Sequence, residues 1–115
     1  MSKQKNMERK LNGISLKPYS TGLGYAKSDA MRLLAYFRKE LFVVPSIDFY
    51  LVKGDNVSFG GCHDCKRNEN EPWSEYVTRS NKSAIDYIKK VEIMNRYKDG
   101  VFLVYEFISY NSTED

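Results

Sequence analysis

Ten consecutive residues, Val101 to Tyr110 (VFLVYEFISY), are almost all strand formers. β-branched and aromatic side chains suit a pleated, buried surface. So dense a run fits a central strand covered on both faces. Ser46 to Lys53 (SIDFYLVK) supplies a second strand, because Ile47, Phe49 and Leu51 alternate with Asp48, Tyr50 and Val52. Gly54-Asp55-Asn56 then reads as a turn, Val57-Ser58-Phe59 as a return strand, and Gly60-Gly61 as its end. Asp99-Gly100 is a favoured two-residue hairpin turn, which would pair residues 91–97 with 101–110. A helix running from Ser83 on to Tyr97 competes with that hairpin. Trp73 to Thr78 is a further short strand candidate.

The clearest helix spans residues 28–41 (SDAMRLLAYFRKEL). Ser28 has the chemistry of an N-cap, and Asp29 suits the positive end of the helix dipole. Ala30, Leu33, Leu34, Phe37 and Leu41 fall on one face, a stripe made to pack on a core. Pro45 blocks any continuation. A second, shorter helix is expected over Ser83 to Lys90, with Ala84, Ile85 and Ile88 inward. The expectation is an α+β domain: a mostly antiparallel sheet of four or five strands with two helices on one face. Residues 1–20 are Lys-rich, without period, and broken by Gly13 and Pro18, so they read as a flexible basic arm with Ile14 and Leu16 tacked onto the core. Residues 21–115 form the domain. At 115 residues the chain fits one core and needs no metal or disulfide staple.

No run of eighteen apolar residues exists, so no membrane helix is expected. Met1 to Lys10 lacks the apolar segment of a signal peptide, which points to the cytoplasm. Cys62 and Cys65 are then reduced thiols. Size and composition are compatible with a small accessory protein of a virus or mobile element.

Charge is unevenly spread. Residues 1–40 carry nine basic and three acidic side chains, whereas the remainder carries nine basic and twelve acidic ones. A basic front third suggests contact with an anion. Lys3, Lys5, Arg9 and Lys10 on the arm, with Lys27, Arg32, Tyr36 and Lys39 on the first helix, form a candidate nucleic-acid surface. The cations would neutralise phosphates, and the tyrosine would bond a phosphate or stack on a base. No recognition-helix, RRM or KH signature accompanies them. The plain alternative is the solvated side of an amphipathic helix.

Cys62-His63-Asp64-Cys65 is the sharpest local cluster. Cys62, His63 and Cys65 would give three zinc ligands where a structural site needs four, and no other Cys or His exists to complete it within one chain. A symmetric homodimer or a carboxylate such as Glu69 would have to complete the set. The same residues read equally as reduced thiols in a polar loop. Gly22 to Ser28 is similar to a phosphate loop but has Ala26 where the glycine before Lys27 belongs.

Catalysis finds little support. His63 is the single histidine, and no orienting partner is evident. Asp48 and Glu106 sit in the two strands, either aimed into a cleft or, for Asp48, facing solvent and, for Glu106, paired with a cation such as Arg96. Trp73 and Tyr76 are the candidate contacts to a host protein, since aromatics dominate binding hot spots. Two functions therefore stand: a non-enzymatic protein binding nucleic acid, or a protein-interaction module that inhibits or regulates an enzyme through exposed aromatics and an open sheet edge.

Overall fold

The computed structural model describes residues 13–16 and 22–112; the arm residues Lys3, Lys5, Arg9 and Lys10 lie outside them. Seven elements follow in order: β1 (Ile14–Ser15), β2 (Leu23–Gly24), α1 (Lys27–Lys39), β3 (Phe42–Lys53), β4 (Asn56–Asp64), α2 (Trp73–Asn95) and β5 (Phe102–Asn111). The fold is α+β, as the two periodicities predicted. All five strands pair antiparallel, in a two-stranded sheet β1-β2 and a three-stranded sheet β4-β3-β5.

Both helices lie on one face of the larger sheet. Ala30, Leu33, Leu34 and Phe37 of α1 meet Ala84, Ile88 and Val91 of α2 over Ile47, Tyr105 and Phe107. Leu41, placed by sequence on the α1 stripe, is 54% exposed instead. The helix has already ended, and Leu41 takes a left-handed φ of 62° to turn the chain into β3. Ser28 is likewise not the cap: α1 starts one residue earlier, behind Ala26, without a side-chain cap.

Three larger corrections concern α2, β4 and β5. Residues 73–78 are not a strand and 91–97 are not half of a hairpin; Trp73–Asn95 is one 23-residue helix. Its buried side is Tyr76, Val77, Ser80, Asn81, Ala84, Ile88 and Val91, a helical spacing hidden from view by two polar members. Those two residues have a backbone task. β3 begins at Phe42, but β4 pairs with it only from Ser46 onward. The first residues of β3 therefore have no strand on that side. Ser80 Oγ accepts the Val44 N–H at 2.9 Å, and Asn81 Nδ2 donates to the Phe42 carbonyl at 2.9 Å. Ser80→Ala is expected to lower stability by about 1–3 kcal/mol in urea unfolding, the cost of an orphaned buried N–H.

Gly60-Gly61 does not end β4, which runs on through Cys62, His63 and Asp64. The glycines are needed for another reason. The register with β3 shifts there, a bulge that leaves Gly60 without a partner. A Cβ at Gly60 would sit 2.1 Å from the Phe49 ring, so a larger residue would force that ring to move. Lastly, β5 is not central. β3 is, and β5 lies beyond it. The outer edge of β5 is closed by a bridge in which Tyr25 and Tyr105 exchange both backbone hydrogen bonds at 2.8 Å. Asp99-Gly100 does turn the chain, with Gly100 at φ 71°, but it joins α2 to β5.

Among the described residues, no helix is long and apolar enough to cross a membrane.

Candidate interaction surface

The helices cover one face of the three-stranded sheet; among the described residues, the β1–β2 segment covers the middle of the other, where Tyr50 and Val104 are buried. Side chains alternate along each strand, so the register assigns this second face. Asp48, Tyr50 and Val52 of β3 stand beside Val104, Glu106 and Ile108 of β5, and beside Val57, Phe59, Cys62 and Asp64 of β4. Leu16, just after β1, packs with Tyr50 and Val104, and Gly22 lies against Glu106, which leaves the Ser46–Ile108–Asp64 end and Phe59 as the open part of this face. Phe59 is 54% and Ile108 59% exposed.

Asp48 and Glu106 are directly opposite each other across the β3–β5 ladder. Like charges at such a position oppose folding. Tyr50 Oη donates to Glu106 at 3.2 Å, which relieves one of the two carboxylates. Asp48 has its pKa raised, first by burial and then by the charges of Glu106 and Asp64. Among the described residues, no salt bridge engages any of the three acids. Glu106 therefore does not pair with Arg96, which lies over the Tyr97 ring instead. Sequence reasoning marked Asp48 and Glu106 singly. Their pairing needed the strand register, and Asp64 was missed because β4 was expected to stop at the glycines.

Cys62 and His63 belong to β4, where neighbouring side chains point to opposite faces. Cys62 is exposed; Cys65 is buried beside Tyr76 and Val77. The Cys65 sulfur receives a hydrogen bond from Arg79 at 3.1 Å. His63 lies toward α2, stacked on Tyr87 at 5.1 Å with Nε2 2.6 Å from Ser83 Oγ. Among the described residues, no group of three His, Cys, Asp or Glu side chains is placed to hold a metal.

The α1 members of the proposed basic surface are strung along the helix. Lys27 and Lys39 sit at opposite ends of α1, roughly 18 Å apart at 1.5 Å per residue. Arg32 is exposed and contacts Asp29 at 3.4 Å. Tyr36 is half-buried against Phe37 and Phe42. Arg38 and Lys39, with Lys82 of α2, rim a groove of about 820 Å³ whose walls include Met31, Ala35 and Ile85.

Trp73 is half-buried, donates to the Leu41 carbonyl at 3.0 Å and packs on Tyr110. Tyr76 lies in the core, and its hydroxyl donates to the Cys65 carbonyl at 2.7 Å. The loop between β4 and α2 is pinned by Arg79, which reaches both Glu71 carboxylate oxygens and the Lys66 carbonyl. That guanidinium and the Asn68 N–H hold the Glu71 carboxyl down at about 2.

Residues 10–107 match the family model described as Immunity protein 40. No curated protein and no solved structure matches the chain.

Proposed function

Because the chain belongs to the Immunity protein 40 family, we propose that it is a non-enzymatic inhibitor that docks on a toxin protein and blocks it. The observation that carries the choice of surface is the like-charge pair Asp48–Glu106 on the sheet face away from the helices. It works against folding, so its presence suits a task other than stability. With Asp64 beside it and Phe59 and Ile108 around it, this face has the chemistry to take a cationic, partly apolar surface of the toxin. Opposite charges would steer the encounter, and the aromatic and aliphatic groups would supply buried area.

This reading keeps the interaction-module alternative and moves it. The contacts are the strand residues named above, with Trp73 at the far end of the sheet beside Tyr110. The nucleic-acid reading gains nothing from the family. Co-expression with the toxin of the same cell is the test. The chain is expected to restore growth and to form a salt-sensitive complex with the toxin. Growth arrest undiminished by a well-folded chain would overturn the proposal.

A further inference from the structure

β4 is an edge strand, and among the described residues no strand pairs with its outer side. The opposite edge of the sheet is closed by the Tyr25–Tyr105 bridge. Beyond its ladder with β3, β4 makes no backbone hydrogen bond to any described residue. Native proteins usually blunt such an edge with lysine, proline or a short strand. Here the sequence is NVSFGGCHD, nine residues with one charged side chain, Asp64, at the end and no proline. Gly60 and Gly61 leave the backbone bare at its middle. The bulge at Gly60 bends the edge but does not cover it.

The two sides of this edge differ in charge. On the helix side, β4 and α2 flank a cleft of about 530 Å³ whose walls include His63, Arg79, Lys82, Asp86, Tyr87 and Lys90. Lys82 is held by Asp86 at 2.8 Å and Arg79 by Glu71 at 2.7 Å, which leaves Lys90 as the excess cation of that set. On the other side lie Asp48 and Asp64. A strand added to β4 sends alternate side chains to these two sides.

We infer that β4 accepts an extended segment of the toxin by strand addition, with acidic side chains of that segment directed to the α2 cleft and basic ones to the acidic face. This rests on the toxin-binding reading and names the form of the contact. A second copy of this chain fits less well, because antiparallel β4–β4 pairing places both α2 helices on one side and brings Lys82 and Lys90 toward their own counterparts.

The probe is a short synthetic peptide alternating glutamate with arginine. Its control carries N-methyl groups on alternate residues and cannot form a ladder. In NMR titrations the first peptide is expected to shift the amides of Asn56–Asp64 and to slow exchange of the outward ones about tenfold. The control is expected to do neither. Three results would overturn the inference: no shift up to millimolar peptide, equal shifts with the control, or β4 shifts that grow with protein concentration in the absence of peptide. None of these touches the growth assay, so toxin binding would stand or fall on its own. Conversely, β4 pairing with the peptide in a chain that fails to protect cells would leave the edge real and the toxin reading wrong.

Discussion

Asp48→Lys is expected to lower affinity for the toxin roughly a hundredfold while making the free protein more stable. The two effects have one cause. In the native chain Asp48 faces Glu106 across the ladder, with Asp64 on the strand to its other side. A lysine at 48 turns a repelling cross-strand pair into an attracting one, worth about 0.2–1 kcal/mol. On the proposed reading, the same lysine presents like charge to a cationic partner surface. A loss of about 3 kcal/mol in binding corresponds to that hundredfold, within the range for misplaced charge at an interface. Urea unfolding and titration calorimetry read the two quantities separately. A purely structural role for Asp48 would move them together.

The pH profile follows from the same site. The raised pKa means that folded Asp48 holds its proton where the unfolded chain has released it. Its contribution therefore falls as pH rises from the ordinary aspartate value through the raised folded value, and the whole cost is present above that. Glu71 has the opposite sign. Its lowered carboxyl supports the fold above 4.5, and that support is lost as pH falls toward about 2. Asp48→Asn should flatten the first slope and leave the second. A difference in stability between native chain and variant that does not change between pH 3 and 7 would contradict this assignment.

Local pattern made the α1 stripe, the β3 alternation and the α+β class legible, because each depends on the period of one segment. What stayed hidden depends on neighbours. Ser80 and Asn81 look like loop residues until the unpaired start of β3 is placed against them. Gly60-Gly61 looks like a strand end until Phe49 is seen to occupy the space of a side chain. Asp99-Gly100 is a true turn, and no feature of a dipeptide says whether a helix or a strand precedes it. The site followed the same division. Asp48 and Glu106 were visible as acids in strands, but their adjacency is a property of register.

Phe37→Ala should cost about 3–5 kcal/mol, the usual range for truncating a fully buried aromatic. Phe37 retains none of its accessible surface. Its ring stacks on Phe42 of β3 at 5.4 Å and meets the edge of Phe107 of β5 at 5.9 Å. It thus ties α1 to the two strands on which the acidic face is built, from the opposite side of the sheet. The collapse of such a site is limited, since Phe42, Phe107 and Tyr36 are held by their own elements and cannot fill the space. For a domain with total stability of about 5–15 kcal/mol, the loss brings a measurable unfolded fraction within reach. Circular dichroism melting should show a large fall in Tm. Toxin protection should weaken only as far as the folded fraction does, since no atom of Phe37 reaches the acidic face. Protection lost at a temperature where the variant is still folded would mean that the helix layer itself makes the contact, and the acidic sheet face would no longer be the site.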